Sequence, residues 1–258
     1  MRSPLNSTRL VTALAGTPVL GVEVHERIGS TNARAAQLGQ PWVLVLAELQ
    51  DAGRGRLGRR WEESPYAGLA MSVLVPAGAQ PEWLPLVTGL ALRAAVAEVT
   101  GLRPDLKWPN DLLDPATGRK LAGILCERTE AGVVIGAGLN VDHTEADLPL
   151  PQAISVALAL GAGVGEIDRE ALVTAYLRHL ASRHRRLGEG AGVSAIRDEY
   201  VAGCATLGRE ITVEDAAGGW RRAQAIGIDE TGRLSVKWAD GGTAVLAAGD
   251  VHHVRMRD

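Results

Sequence analysis

A nine-residue stretch from Gly53 to Trp61 most constrains how this chain of 258 residues can fold. It reads GRGRLGRRW, with three glycines and four arginines. Such a segment can neither fill an apolar core nor form a stable helix, so we expect an exposed loop. Glycine lets the backbone wrap closely around a ligand, and arginine donates planar pairs of hydrogen bonds to phosphate or carboxylate oxygens. Because the apolar run from Trp42 to Leu49 precedes it like a buried strand, the stretch predicts an anion-binding loop after a strand.

Three other interpretations compete for this loop. Gly53, Gly55 and Gly58 spell the G-x-G-x-x-G pattern of dinucleotide-binding folds, which requires a helix to begin on the last glycine. Residues 59–65 contain a proline and no apolar helical stripe, which disfavours that fold. Arginine–glycine segments also bind nucleic-acid phosphates, and a solvated surface turn is the simplest alternative. A plain turn would not require Trp61 beside so many arginines, so the ligand loop is favoured.

Charge and cysteine content limit the class of protein. The net charge of −3, with 27 basic and 30 acidic residues, disfavours a general nucleic-acid binder. The two cysteines, Cys126 and Cys204, form no C-x-x-C pair, which is typical of buried thiols in a reducing compartment. We find no apolar run of membrane-spanning length and no signal peptide. We therefore expect a soluble cytoplasmic protein.

Lysine is rare in this chain. Only Lys107, Lys120 and Lys237 are lysines among the 27 basic residues. In a chain that otherwise uses arginine, a lysine inside a motif suggests that an ammonium group is wanted there. Two of the three lie in the motifs described below.

Periodicity predicts an α+β fold: a mainly antiparallel mixed sheet with helices on one side. Ser30, Thr31 and Asn32 form a natural N-cap before a helix over 33–38. Further helices are predicted over 81–99, 168–187 and 194–201, and strands over 21–28, 67–75, 102–108, 120–128 and 132–141, the last two as a hairpin.

The pattern changes after Cys204. Short strands over 210–214, 222–228, 233–238 and 243–246 alternate with glycine-containing turns, which predicts a small β-barrel. We therefore expect two domains, residues 1–205 and residues 206–258. The first 20 residues or so are too short and mixed for a helix-turn-helix DNA-binding domain.

Four motifs in order carry a specific resemblance. They are the loop GRGRLGRRW, then KWPND at 107–111, RKLAGIL at 119–125 and GAGLN at 136–140. Together they resemble the biotin–protein ligase family, that is, biotin–[acetyl-CoA-carboxylase] ligases. The resemblance implies a class II synthetase-like catalytic domain followed by an SH3-like barrel. Some members also carry an N-terminal DNA-binding domain and repress transcription, and we expect neither property here.

The resemblance implies a two-step reaction. Biotin and ATP give biotinyl-5′-AMP and pyrophosphate, with Mg²⁺ as cofactor, and a lysine of a biotin carboxyl carrier protein then takes the biotin. No DNA or membrane partner is expected. The resemblance makes a homodimer through sheet edges possible, and the sequence leaves the oligomeric state open.

The resemblance also assigns residues. Lys120, Arg54 and Asp111 are expected to be catalytic, with Asp111 either holding Mg²⁺ or orienting the acceptor amine. The expected biotin-binding residues are Ser30, Thr31, Asn32, Gln50, Gly53, Arg54, Gly55, Arg56, Lys120 and Gly123. The expected ATP-binding residues are Arg54, Arg56, Arg59, Trp61, Lys107, Asn110, Lys120 and Asn140.

Less specific interpretations remain for several of these residues. Ser30 and Thr31 could be helix caps alone, Asp111 could complete an Asx-turn, and Trp108 could be core packing. Lys120 could be a solvent-facing lysine at a strand start.

At the level of the whole chain, a lipoate–protein ligase shares the predicted fold and chemistry. A non-catalytic biotin- or nucleotide-binding module and a basic-loop RNA binder are weaker alternatives.

Overall fold

The computed structural model describes residues 2–215, 219–248 and 251–256, without the side chains of Asp215 and 251–256. Its larger sheet has seven strands in the order β1-β2-β3-β7-β6-β5-β4. Strands β1 and β2 pair in parallel and the other neighbours are antiparallel, as a mixed, mainly antiparallel sheet requires. The strands are β1 Gly21–His25, β2 Val43–Ala47, β3 Gly68–Val75, β4 Asp105–Lys107, β5 Asp111–Leu113, β6 Lys120–Thr129 and β7 Gly132–Asn140.

Six α-helices accompany this sheet in the described residues. The four predicted helices are confirmed, and Asp168 caps its helix as expected by accepting a hydrogen bond from the Ala171 N–H. Two short helices were not predicted, because a single turn or two leaves almost no periodic signal. The helices are α1 Ser7–Ala13, α2 Thr31–Leu38, α3 Leu84–Thr100, α4 Val156–Leu160, α5 Arg169–Leu187 and α6 Gly192–Gly203.

The two faces of the sheet carry different helices. Met71 and Val73 of β3 belong to the main core, which also contains α3 and α5. Leu74 points to the opposite face, because neighbouring residues in a strand alternate. There it packs with Ala35 of α2 in a second, small cluster. The expectation that all helices lie on one side is therefore wrong for α2, and the face that α2 only partly covers is free to form a site.

The C-terminal strands form a second, five-stranded antiparallel sheet in the order β11-β10-β9-β8-β12. Within the described ranges, its edge strands β11 and β12 do not pair, so the sheet is not closed and the predicted barrel is not confirmed. The last of these strands was not predicted. The strands are β8 Glu210–Asp215, β9 Trp220–Ile228, β10 Leu234–Trp238, β11 Thr243–Leu246 and β12 Val251–Met256.

The second sheet packs directly on the first part of the chain. The indole N–H of Trp83 donates to the Glu230 carbonyl at 3.0 Å, and that of Trp108 donates to the Gly232 carbonyl at 3.1 Å. One continuous apolar core contains residues of both sheets, including Leu106 and Val236. The two sheets therefore stabilise each other.

Among the residues that the structure describes, one helix is long and apolar enough to cross a membrane by length and composition, the segment Pro81–Thr100. Most of its side chains are buried, among them Leu84, Val87 and Leu90. It packs against the sheet and α5. We assign it to the core of the protein.

Candidate active site

The floor of the candidate site is the sheet face opposite α3 and α5. Three glycines of β6 and β7, Gly123, Gly136 and Gly138, lie on this face, with Gly123 paired to Gly138. A Cβ at Gly136 would overlap the side-chain amide of Asn32, and a Cβ at Gly138 would overlap the indole of Trp61. Glycine is therefore required at these strand positions so that side chains can approach the backbone closely.

A cavity of about 770 Å³ opens above this floor. Of the 16 site residues predicted from the sequence, 15 line it, although they come from five separate segments. Pro149, Leu150, Gln152 and Ala153 add a wall that the sequence did not indicate. The predicted residues that line the cavity are Ser30, Thr31, Asn32, Gln50, Arg54, Gly55, Arg56, Arg59, Trp61, Lys107, Asn110, Asp111, Lys120, Gly123 and Asn140.

Gly53 is the predicted residue that the cavity lining does not include. Its carbonyl accepts a hydrogen bond from the Trp61 N–H at 2.9 Å. A Cβ at this position would lie 2.7 Å from the Trp61 carbonyl oxygen. Gly53 therefore closes the base of the loop.

One end of the cavity is polar but uncharged. The Gln50 side-chain oxygen accepts hydrogen bonds from the Thr31 N–H at 2.9 Å and from the Thr31 hydroxyl at 3.0 Å. Ser30 is the N-cap of α2, as the sequence predicts, and its hydroxyl oxygen accepts from the Ala33 N–H. Because both Ser30 and Thr31 also line the cavity, capping and ligand contact are compatible here.

A half-buried carboxyl group, that of Glu63, lies behind Gln50. The Glu63 carboxylate accepts a hydrogen bond from the Gln50 N–H at 2.9 Å. Burial raises the pKa of Glu63 from its usual 4.5 to about 7, with a smaller contribution from the nearby Glu48. This residue was not predicted as part of the site.

The other end of the cavity is cationic. The Lys120 ammonium lies 2.5 Å from Asp111 Oδ1, and the Lys107 ammonium lies 3.9 Å from Asp111 Oδ2. The three residues come from the short β4–β5 hairpin and the start of β6. The turn of the β4–β5 hairpin contains the cis peptide bond between Trp108 and Pro109. Two ammonium groups around one carboxylate leave a net positive charge facing the cavity.

Two asparagines and a tryptophan also hold the site together. The Asn110 side-chain amide donates to the Ile124 carbonyl at 2.9 Å, which ties the β4–β5 turn to β6. Asn140 is buried, and its amide donates to the Ile154 carbonyl at 3.2 Å. Trp108 is only 1% exposed, so the interpretation as core packing is correct for it.

The glycine–arginine loop folds back on itself as a small hairpin. The Gly55 N–H donates to the Arg59 carbonyl at 2.7 Å, and a short helical turn forms over Arg56–Gly58 at the tip. The Arg56 guanidinium donates to the Ala248 carbonyl of the C-terminal part of the chain. Burial lowers the pKa of Arg56, and the neighbouring Arg59 adds to this effect against the opposing influence of Asp111.

Arg54 at the base of this loop forms an ion pair that was not predicted. Its guanidinium lies 3.3 Å from Glu127 Oε1 on β6. Glu127 lies an even number of residues beyond Gly123 and Leu125, so strand alternation places it on the same face as the floor. The strand period in RKLAGILCE could therefore have identified this residue.

A resident metal site is not apparent in the part of the chain that the structure describes. No group of three or more His, Cys, Asp or Glu side chains there could hold a metal ion. Asp111 is the carboxylate that faces the cationic end of the cavity. Mg²⁺ in nucleotide sites is commonly held by one or two carboxylates together with substrate phosphates, so a single carboxylate is compatible with such an ion.

Comparisons with known proteins show which family the chain resembles. Residues 24–140 match the model of the biotin/lipoate A/B protein ligase family. The chain is 37% identical to a biotin–[acetyl-CoA-carboxylase] ligase of Mycobacterium tuberculosis over 269 residues, which covers 99% of this chain and 98% of the relative. It is 30% identical to the bifunctional ligase/repressor BirA of Bacillus subtilis, over 90% of this chain and 74% of that protein.

A solved structure has the same fold. Biotin protein ligase from Aquifex aeolicus, in complex with biotin and ATP, superposes with a TM-score of 0.80 at 24% sequence identity. The match covers 92% of this chain and 99% of the Aquifex chain. From its similarity to the mycobacterial ligase along the whole length, together with the family match, we conclude that the chain belongs to the biotin/lipoate A/B protein ligase family.

Proposed function

We propose that this protein is a biotin–[acetyl-CoA-carboxylase] ligase that forms biotinyl-5′-AMP and transfers biotin to a lysine of a biotin carboxyl carrier protein. The observation that carries the proposal is the division of one cavity into two ends. Uncharged hydrogen-bonding groups around Thr31 and Gln50 suit the ureido ring of biotin. The cationic end around Lys120 suits a carboxylate and a phosphate. The full-length similarity to a biotin–[acetyl-CoA-carboxylase] ligase supports the same substrate.

In the first step, an oxygen of the biotin carboxylate attacks the α-phosphorus of ATP. A new P–O bond forms, the bond to the β-phosphate oxygen breaks, and pyrophosphate leaves. Both reactants are anions, so the site must offset their repulsion and the negative charge that grows on the phosphorus oxygens. Lys120 is the residue we assign to this task, with Lys107 as a second cation. Their present partner, Asp111, would exchange its contacts when the anions enter.

In the second step, the amine of the acceptor lysine attacks the carbonyl carbon of the mixed anhydride. The C–O bond to AMP breaks, an amide forms, and the amine loses a proton. The Asp111 carboxylate faces the part of the cavity where the anhydride would lie, which suits it to orient this amine.

Mg²⁺ is proposed as the cofactor, with Asp111 as the protein residue that would hold it. When bound, the ion would neutralise charge on the phosphates of ATP. Asp111 could hold Mg²⁺ during the first step and orient the acceptor amine during the second step, but not both at once.

The glycine–arginine loop is proposed to close over the bound adenylate. Arg54, Arg56 and Arg59 line the cavity and can donate to phosphate oxygens. A closed loop would shield the reactive anhydride from water until the acceptor arrives.

Several wider expectations also remain proposals. We propose that residues 1–205 are the catalytic domain and that residues 206–258 are an SH3-like domain, which the change to a second antiparallel sheet supports. A cytoplasmic location, the absence of operator binding, and a homodimer through sheet edges such as β1 are likewise predictions. The small net negative charge supports the absence of DNA binding.

The complete reaction provides the test. The purified protein would be incubated with ATP, Mg²⁺, biotin and a purified biotin carboxyl carrier domain, and the carrier mass would be measured. We expect one biotin per carrier, dependent on ATP, and none on a carrier whose acceptor lysine is replaced by arginine. If lipoate rather than biotin becomes attached to the carrier, the protein is a lipoate–protein ligase. If neither acid is attached, the remaining interpretation is a non-catalytic binding module.

A further inference from the structure

Glu127 lies just behind the uncharged end of the cavity and contacts two site residues from different segments. Its Oε2 accepts a hydrogen bond from the Asn32 side-chain amide at 2.6 Å. Its Oε1 lies 3.3 Å from the Arg54 guanidinium. Glu127 itself is not among the described residues that line the cavity. It can therefore act on a ligand only through Asn32 and Arg54.

The contact to Asn32 fixes the direction of an amide. An ionised carboxylate can only accept hydrogen bonds, so it holds the Asn32 NH₂ group toward itself. The Asn32 oxygen must then point the other way, where it lies 2.6 Å from the Ser72 hydroxyl and over Gly136 on the cavity floor. Asn32 is only 7% exposed, so it has little room to turn. The Asn32 NH₂ group also donates to the Leu125 carbonyl at the longer distance of 3.4 Å, so Glu127 is the shorter of two contacts that set the direction of this amide.

The contact to Arg54 is of a different kind. The Arg54 side chain is 52% exposed and that of Glu127 is 34% exposed, so water screens the pair and the attraction is weak. A phosphate or carboxylate that arrives in the cavity offers the guanidinium a stronger, bidentate partner. The pair can therefore hold Arg54 beside the free site and release it to a ligand.

We propose that Glu127 is a positioning residue of the biotin site, which orients Asn32 for biotin and competes with the nucleotide phosphate for Arg54. This inference rests on the proposed biotin ligase activity. It assigns opposite effects to one carboxylate, because the orientation of Asn32 favours biotin binding while the pairing with Arg54 opposes nucleotide binding.

The test compares Glu127→Gln and Glu127→Ala with a matched control, Glu130→Gln. Glu130 lies in the exposed turn between β6 and β7, so its variant makes the same charge change three positions away. The KM values for biotin and for ATP, and kcat, would be measured by pyrophosphate exchange, with thermal unfolding of each variant alongside. Glu127→Gln keeps the shape of the side chain, so it remains informative if Glu127→Ala fails to fold.

We expect Glu127→Ala to raise the KM for biotin about tenfold, as loss of a charge-assisted hydrogen bond implies, and Glu127→Gln to raise it less. The KM for ATP should stay the same or fall in both variants, because Arg54 is released for the nucleotide. The value of kcat should change less than about twofold, because Glu127 contacts no reacting atom. If Glu127 had only a structural role, its replacement would weaken the binding of both biotin and ATP. A parallel rise in both KM values, or an unchanged KM for biotin, would overturn the inference.

Failure of the inference and failure of the proposed function give different results. If the wild-type protein shows no biotin-dependent exchange, the function is wrong and Glu127 has no site to position. If the wild type is active and Glu127→Ala and Glu127→Gln both behave like Glu130→Gln, the function stands and the inference is wrong.

Discussion

Lys120 is the residue on which the proposed chemistry depends most. It is one of three lysines in the chain, and its ammonium meets Asp111 at the cationic end of the cavity. Its neighbour Trp61 is within 5.9 Å of the ammonium, measured to the ring centroid. The alternative of a solvent-facing lysine is disfavoured by these contacts.

We predict that Lys120→Ala lowers the rate of biotin-dependent pyrophosphate exchange by at least about 100-fold, the scale seen when one charge-stabilising group is removed from an active site. The control is Lys237→Ala, which removes an exposed lysine on β10. Exchange at the wild-type rate in Lys120→Ala would remove this residue from the mechanism.

Glu63 gives the site a pH dependence. Because burial penalises its charged form, its pKa in the folded protein is about 7 rather than the usual 4.5. The protonated carboxyl is therefore favoured on folding, and this stabilisation is present below about pH 4.5 and is lost as the pH rises through about 7. One pKa unit corresponds to about 1.4 kcal/mol, so the loss is at most about 3.5 kcal/mol.

We predict that Glu63→Gln loses less stability than the wild type between about pH 4.5 and about pH 7.5, because the amide can still accept the Gln50 hydrogen bond and never ionises. Denaturant unfolding at several pH values would measure the difference. Glu62→Gln, at an exposed neighbouring position, should keep the wild-type slope. Equal slopes in Glu63→Gln and wild type would contradict the assignment.

At the residue scale, the sequence motifs predicted residues that the fold brings together in one place. Almost all predicted site residues line one cavity, although Asn32 and Lys120 are far apart in the chain. Glu63 was missed because it acts through a neighbour rather than through a motif. Strand alternation could have placed Glu127 on the face of the floor, but its contacts with Asn32 and Arg54 join separate segments, which periodicity alone cannot provide.

At the scale of elements, the β6–β7 hairpin determines where the site lies. Alternation places its large side chains in the core and leaves Gly123, Gly136 and Gly138 on the other face. The sequence predicted this hairpin correctly. It did not reveal that α2 packs on the glycine face, because the side of a sheet that a helix covers is decided by the path of the chain after the helix.

We predict that Gly136→Ala weakens biotin binding by about tenfold or more, because the new methyl group would displace Asn32 and misplacement of a site group by about an ångström is costly. Calorimetric titration with biotin would measure the effect. The control is Gly227→Ala on β9, where a Cβ meets no atom within 4 Å. Equal affinities for the two variants would show that Asn32 has room to move or takes no part in binding.

At the scale of the whole molecule, a buried ion pair connects distant parts of the chain. The Arg169 guanidinium at the start of α5 lies 2.7 Å from the Glu48 carboxylate, and both side chains are almost completely buried. Arg169 also donates to the Ser3 and Gly68 carbonyls, and Glu48 accepts from the Leu5 N–H. The N-terminal segment, the central sheet and α5 therefore share one polar network.

We predict that Arg169→Met lowers the free energy of unfolding by about 3–5 kcal/mol, because it leaves the Glu48 charge buried without a partner. Denaturant unfolding followed by circular dichroism would measure the change. Arg9→Met, which breaks the exposed pair with Glu170, should have a much smaller effect. A similar loss of unfolding free energy in both variants would mean that the buried ion pair stabilises the protein no more than an exposed one.

For the C-terminal sheet, the sequence predicted most of the strands but not how the sheet packs on the rest of the molecule. Its turns and four of its strands were predicted from glycine-rich turn signals. Its packing on Trp83 and Trp108 was not, since both hydrogen bonds end on backbone carbonyls of the Glu230–Gly232 turn. Backbone carbonyls exist at every residue, so the sequence does not mark which of them a distant indole will reach.

The central claim is that the cavity activates biotin as an acyl-adenylate. ATP–pyrophosphate exchange on the purified protein, with biotin and with lipoate in parallel, tests this claim most directly. We expect exchange with biotin and none with lipoate, since the two ends of the cavity suit a ureido ring and a carboxylate. Exchange with lipoate alone, or with neither acid, would contradict the account.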